Sequence, residues 1–425
     1  MSSPVVDTWY FSVAWPSNLV RDSPALASAE CITYVAFIFS LLHALSSRSR
    51  SRSRSSLSTS KKNVNKNDDR LMLLTITLLG ASIVDPFCLV SEQIRNYYHD
   101  RASVLMFGKH VAPWQFPLFA NLAYLGGASA RRVFERSGAR DEKGKTVQMW
   151  WFAEASLASI INSFTFYSFD MIACKYLIYQ WHDQDPLYAD RTGECVPCAS
   201  SMWVVAYGFI GSLLARYSHH QHAVNGRPWT ECAAAATLVF IPAHILPISL
   251  LYVPYIVLFR SGAGAVRFSL ALCALTVITY FTLAKPRVPS PSAVNLKNRQ
   301  SMLLFAAIAA WFGGLAFHGW FLPPENVVST CIHQPYHETS EMCSAQETYL
   351  FGFAQRKRFM CASDFRFWEL VPPAPEPGTD WYTIKGLPAD KSWYKEYFGT
   401  LVVGVVLHTC AFFAPCWNFG KKKAR

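Results

Sequence analysis

The chemistry-bearing side chains of this chain crowd into one stretch, Phe169 to Trp203, which reads FDMIACKYLIYQWHDQDPLYADRTGECVPCASSMW. Asp170 and Lys175 ride the end of an apolar run. His182, Asp183 and Asp185 follow Trp181, and Cys195 and Cys198 precede the next apolar run. Histidine and carboxylates exchange protons near neutral pH when they are partly desolvated. Set above an apolar cavity, Asp170, His182, Asp183 and Asp185 read as general acids and bases that add water to a double bond, move it or cyclise a polyene. Asp85 on another apolar stretch, Glu154 early in the run that carries Asp170, and Lys175 read as supporting charges, because ionisable groups within a membrane face a cavity or a partner. The bland reading stands beside this one: a helix end, a solvated turn opened by Asp185-Pro186, and a structural ion pair for Asp170.

The elements that position these residues follow from composition. The chain has 425 residues, 52% hydrophobic and only 16% charged, against about 25% charged in soluble domains. The apolar residues are grouped in runs close to the 20 or so that a helix needs to span a bilayer. The expected fold is an all-α, polytopic membrane helix bundle of about nine transmembrane helices with a small Cys-containing lumenal loop domain. The spans fall near 25–45, 71–90, 113–130, 148–179, 199–215, 230–259, 264–284, 302–322 and 398–417. Residues 1–24 form a lumenal amino terminus and 25–322 an eight-span core with a basic Arg-Ser loop at 46–70. Residues 323–397 form the lumenal loop domain, and 398–425 hold the last span and a basic cytosolic tail.

Charge sets the orientation. The loops after the first, third, fifth and seventh spans, with the tail, hold 24 of the 39 Lys and Arg, which makes them cytosolic by the positive-inside rule. The net charge of +11 is thus a topological signal and not a nucleic-acid interface. The tail, Lys422-Lys423-Ala424-Arg425, matches a dilysine retrieval signal of endoplasmic reticulum membrane proteins, read by coat proteins. Five cysteines then face an oxidising lumen: Cys195, Cys198, Cys331, Cys343 and Cys361. One disulfide is expected within the large loop. Cys195 and Cys198 pair with each other or tether the turn to that loop, because a redox Cys-x-x-Cys opens a helix of an α/β fold. His219, His220 and His222 lie in a turn with no cysteine or acid at ligand spacing, so no metal is expected. The chain has no P-loop and no GxGxxG, and no cofactor is expected.

A further likeness rests on FPLFANLAYLGGASA in the third span, which follows a span ending in an acidic and aromatic tail, on FDMIACKYLIYQW ending in tryptophan, and on a Tyr-containing turn with Gly193 and Val196-Pro197 before a Ser and Trp that open the next span. In outline, over about residues 71–217, this resembles the membrane-integral carotenoid hydratase family. It is also similar to uncharacterised eukaryotic polytopic proteins with a Trp-His-Asp-x-Asp-Pro motif. The resemblance implies a helical core with an apolar cavity for a membrane lipid or isoprenoid. The expected function is lipid or isoprenoid modification in the endoplasmic reticulum. The alternatives are a transporter or channel, suggested by Pro242 and Pro247 within a span, and a non-catalytic membrane assembly partner with 323–397 as its recognition domain.

Overall fold

The computed structural model describes residues 6–7, 11–52, 68–136, 147–182, 185, 190–192, 194–254, 262–283, 299–338, 340–352 and 354–413. Asp183, Lys422 and Lys423 lie outside the described residues, as does the side chain of Cys331.

The helices are α1 (Pro16–Asp22), α2 (Pro24–Arg52), α3 (Asp68–Val90), α4 (Gln115–Arg136), α5 (Val147–Lys175), α6 (Cys198–Asn225), α7 (Trp229–Pro254), α8 (Gly262–Leu283), α9 (Arg299–Phe321), α10 (Ser340–Cys343) and α11 (Lys391–Phe413). Long apolar runs become helices because a lipid-facing backbone must satisfy its N–H and C=O groups within the segment. Among the described residues six helices are long and apolar enough to cross a membrane, namely α2, α3, α5, α6, α9 and α11. The apolar parts of α7 and α8, Trp229–Ala243 and Val266–Thr282, are shorter.

The centre of the bundle is α5, with 78% of its apolar window buried. It packs against α4, α6, α8 and α11, while α3 lies on α4, α6 and α7, and α2 on α9 and α4. Small residues permit the close crossings, as expected where packing rather than water exclusion holds helices together. A Cβ at Gly126 of α4 would fall 2.8 Å from the carbonyl oxygen of Ala158 on α5. Ser159 Oγ donates to the Val205 carbonyl at 2.6 Å and Asn162 Nδ2 to the Val204 carbonyl at 3.1 Å, pinning α5 to α6.

Three boundaries differ from expectation, each for a local reason. The α5 helix stops at Lys175, not near 179. Leu177 adopts a left-handed φ of 53°, its N–H bonds to the Cys174 carbonyl at 3.3 Å, and the Ile178 N–H bonds to the Ala173 carbonyl at 2.8 Å. This pattern is a Schellman stop. At the far end of α6, helix continues through the expected turn that holds the three histidines, and ends at Gly226 with φ 69°. The last span begins at Lys391, because Asp390 Oδ1 accepts the Trp393 N–H at 2.7 Å as an N-cap.

Residues 323–390 fold as a small β-rich domain, an addition to the all-α expectation. Val328–Ile332, Trp381–Gly386 and Trp368–Leu370 make a three-stranded antiparallel sheet, beside a Gln346–Tyr349/Ala354–Lys357 hairpin. A Cys343–Cys361 disulfide with Cα atoms 5.9 Å apart closes it. Its core of Tyr336, Met360, Trp368, Tyr382 and Ile384 includes one residue of the bundle, Leu177. Leucine is unfavourable at a left-handed helix stop; here its side chain is 1% exposed inside the β domain's core. Leu177→Ala is expected to loosen the domain from the bundle by about 2–5 kcal/mol. Hydrogen exchange should rise across 328–332 and 381–386 without change in α2–α6.

The same domain holds the loop between α3 and α4. Ser329 Oγ donates to Asp100 Oδ1 at 2.9 Å, and Arg356 Nη1 donates to the carbonyls of Ile94 and Arg95 at 2.9 and 3.1 Å. Phe11–Val13 pairs with Val104–Met106. The amino-terminal segment, the 91–114 loop, the turn after α5 and the β domain therefore share one face of the bundle.

Burial pushes the Asp100 carboxyl up from 3.8 to about 6, against the lowering effect of its hydrogen bonds and of Arg101. The native state then keeps this proton after the unfolded chain has lost it. Stability from Asp100 is fully present below about pH 4 and declines as pH rises through 6, by about 3 kcal/mol. Denaturation midpoints between pH 4 and 7 should show this slope, and Asp100→Asn should remove it.

Candidate functional site

The turn after α5 explains how the site is assembled. Once Leu177 has reversed the chain, Tyr179–Trp181 runs as a strand antiparallel to Tyr97–His99, with Tyr97 opposite Trp181 and His99 opposite Tyr179. Alternate strand residues face opposite sides. Tyr97, His99, Tyr179 and Trp181 thus form one aromatic face, with Tyr97–Trp181 centroids 5.1 Å apart and Tyr97–Tyr179 6.2 Å. Tyr98, Gln180 and His182 fall on the other.

The aromatic face closes a cavity of about 70 Å³, room for a few waters or the reacting segment of a longer chain. Two carboxylic acids from separate helices line it, Asp85 of α3 and Asp170 of α5, among Phe119, Phe166, Trp181 and Trp203. Tyr97 donates its hydroxyl hydrogen to Asp85 Oδ1 and Tyr179 donates to Asp170 Oδ1. Ser200, in the first turn of α6, donates to Asp170 Oδ2 at 2.6 Å. Asp85 Oδ2 has no hydrogen-bond partner among the described residues. Burial, with the charge of Asp170 second, raises the Tyr179 phenol well above its ordinary range, so it remains a donor.

The expected acid cluster is therefore divided. Asp170 meets Asp85, whereas His182 and Asp185 belong to the contact with the β domain. Asp185 accepts the Tyr349 hydroxyl at 2.5 Å, and its other oxygen lies 3.5 Å from Arg356 Nη1. Arg356 also bonds Glu347 at 2.6 Å and sits 4.4 Å above the Tyr349 ring. His182 packs 6.3 Å from Tyr98. Burial first, and the nearby Arg356 charge next, hold its imidazole well below the ordinary histidine range. A histidine so held stays neutral and does not supply protons near neutral pH.

Two supporting residues are also reassigned. Lys175 Nζ bonds Glu194 Oε2 at 2.9 Å and does not reach for Asp170. Glu154 lies 16 residues before Asp170 on α5, roughly 24 Å away along a helix rising 1.5 Å per residue, at the opposite end of the bundle. There Arg216 Nε and Nη2 bond its two oxygens at 2.8 and 2.5 Å. Arg131 Nη2 bonds Asp69 at 2.7 Å, and Arg216 Nη1 reaches Asp69 at 3.3 Å.

The cysteines are corrected as well. Cys343 and Cys361 form the loop disulfide, but Cys195 and Cys198 are both buried thiols. Cys198 opens α6, and Cys195 lies in the turn just before it. Among the described residues no group of three or more His, Cys, Asp or Glu is placed to hold a metal ion.

The sequence reading missed Tyr97, Tyr179 and Ser200. The signal was the period-two aromatic pattern in Tyr97-Tyr98-His99 and Tyr179-Gln180-Trp181, which marks paired strands and was absorbed into a loop and a helix.

Comparison with curated proteins and comparison with solved structures return no match. A family model described as a domain of unknown function, DUF7802, matches residues 143–415. This match takes in α5 through α11, with Asp170, Tyr179 and Ser200, and covers well over half of the chain. The chain therefore belongs to the DUF7802 family.

Proposed function

We propose that this protein is an acid–base enzyme acting on an apolar membrane substrate, a lipid or isoprenoid with a reactive double bond. One observation carries the reading: two carboxylic acids from different helices, each held by a tyrosine, converge on one aromatic-walled cavity within the bundle. Asp85, with one oxygen unpartnered, donates the proton. Asp170, both of whose oxygens accept hydrogen bonds, receives one from water or from substrate carbon. The cavity takes only the reacting segment, and the rest of the substrate lies between helices in the bilayer. The outline likeness to carotenoid hydratases points to the same substrate class.

In this proposal all nine long helices cross the endoplasmic reticulum membrane. The amino terminus, the Asp85/Asp170 cavity and the β domain lie at the lumenal side, and the basic loops and dilysine tail are cytosolic. The Cys343–Cys361 disulfide supports an oxidising compartment for the β domain, and the charge distribution supports the opposite assignment for the loops.

The test is incubation of the purified protein with a total lipid extract in D₂O, followed by mass spectrometry. An apolar product bearing deuterium, formed by the wild type, is the expected result. No deuterated or hydrated lipid from folded wild-type protein would sink the proposal, and proton-coupled uptake into vesicles without product would assign the same acids to transport.

A further inference from the structure

We infer that the cavity between the β domain and the amino-terminal segment binds a phosphate ester of a sugar or similar ring polyol, free or as a lipid headgroup. Its volume is about 380 Å³, against about 70 Å³ between Asp85 and Asp170, and lies in the range of small-molecule sites. Three walls make it. Asp22 and Ser23 come from the end of α1 and the residue after it, Arg101 and Lys109 from the loop between α3 and α4, and Thr330, Trp381 and Thr383 from the β domain. No described lining residue is shared with the Asp85/Asp170 cavity, so the inference does not rest on the acid–base reading.

Strand pairing builds the wall that suits a polyol. Thr383 lies directly opposite Thr330, and Trp381, two residues before Thr383, falls on the same face of the sheet. Ile384 falls on the other face, in the core of the β domain. The cavity side thus presents two hydroxyls beside an indole that is 45% exposed. Side-chain hydroxyls both donate and accept hydrogen bonds, as those of a polyol do. The indole offers a flat apolar surface to the C–H face of a ring.

Charge selects the phosphate. Arg101 and Lys109 both line the cavity, and Lys109 Nζ lies 5.4 Å from the centre of the Trp381 ring. Asp22 is the one carboxylate among the described lining residues, and its Oδ1 already accepts Arg21 Nε at 2.9 Å. Asp100, beside Arg101 in sequence, accepts Ser329 Oγ at 2.9 Å and does not line the cavity. Positive charge is therefore in excess. Two buried polar atoms of lining residues, Arg101 Nε and Ser23 Oγ, have no hydrogen-bond partner among the described residues, and Ser23 is only 4% exposed. Buried polar groups in folded proteins are nearly always paired, and a guanidinium with a hydroxyl is a donor set that phosphate oxygens accept. In the inferred complex the phosphate takes these donors, Lys109 adds charge, and the ring lies against Trp381 and the two threonines.

Calorimetric titration of the full-length protein in detergent decides the inference. Glucose 6-phosphate or inositol 1-phosphate is expected to bind with a Kd below about 1 mM, and glucose, inositol and inorganic phosphate at least about tenfold more weakly. Arg101→Gln should weaken the ester by about tenfold or more, the usual effect of losing a hydrogen bond to a charged group. Thr383→Val, which keeps the β-branched shape of the strand, should weaken it by about 3- to 10-fold and serves as the readout if Arg101→Gln does not fold. No binding of either ester, inorganic phosphate bound as tightly as the esters, or undiminished binding in the folded variants overturns the inference. Nanodiscs of phosphatidylcholine with and without phosphatidylinositol separate the two sources. Arg101-dependent retention of phosphatidylinositol marks a lipid headgroup, and a bound ester without that retention marks a free one.

Discussion

On the proposed acid–base function, Asp170→Asn and Asp85→Asn are each expected to lower turnover of the apolar substrate by at least about 100-fold, the low end of what a positioned general acid or base contributes, while the bundle remains folded. Asparagine keeps the shape of aspartate but neither holds nor receives the transferred proton. The structural cost differs between the sites. Asp85 leaves Oδ2 unpartnered, so an amide there replaces no hydrogen bond at that atom. Asp170 accepts from Tyr179 and Ser200, and an amide nitrogen in place of one oxygen forfeits one of these, worth about 1–3 kcal/mol when buried. Asp185→Asn provides the contrast. It weakens the Arg356–Tyr349 clamp on the β domain and leaves turnover within a few-fold of wild type. Product measurement on the three variants, with circular dichroism as the check on folding, tests the division of the acids. Full turnover in folded Asp170→Asn, or loss of turnover in folded Asp185→Asn with the β domain docked, would refute it.

Arg216→Met and Glu154→Gln each destabilise the protein by about 3–5 kcal/mol, the usual cost of removing one partner from a buried ion pair. Asp69, Arg131, Glu154 and Arg216 balance two negative with two positive charges, and their side chains are no more than 9% exposed. Arg216 also stacks 4.4 Å over Trp150. These residues come from the starts of α3 and α5 and the ends of α4 and α6, so the cluster staples four helices at the end of the bundle away from the acid cavity. Removing one charge leaves a net charge buried there. The Arg216→Met/Glu154→Leu double variant is expected to recover much of the loss, because it removes a charge of each sign. Denaturation midpoints in detergent measure this. Single-variant losses below 1 kcal/mol would place the cluster in contact with water. On the proposed function Glu154, paired with Arg216 at the other end of the bundle, takes no part in catalysis, so these variants should bind and convert substrate for as long as they stay folded.

Much of the architecture was legible because hydrophobicity is a local, linear property. A run of about 20 apolar residues signals a helix wherever it lies, and among the described residues a helix lies on each of the nine expected stretches, six of them long and apolar enough to cross a membrane. The boundaries depended on single residues that the pattern does not weigh: the Asp390 cap that starts α11 early, Gly226 that ends α6 late, and Leu177, which breaks α5 although leucine favours helices. Leu177 is explained only by the β domain that surrounds its side chain, contributed by residues more than 150 positions away.

By itself the sequence determined a helical membrane bundle with Asp170 at its most ionisable stretch, an oxidisable pair in the 323–397 region and an asymmetric distribution of basic loops. These follow from composition and spacing, which act along the chain. The tertiary structure decided which charges meet. Strand pairing between Tyr97–His99 and Tyr179–Trp181 sends alternate residues to opposite faces, so His182 and Asp185, adjacent in sequence to the acid site, join the β domain instead. Asp85, 85 residues from Asp170, arrives at the same cavity because α3 and α5 both pack around α4 and α6. Glu154, although on the same helix as Asp170, is carried to the opposite end by the helical rise. Partners for buried charges are chosen by packing in three dimensions, and the order of residues along the chain carries little record of that choice.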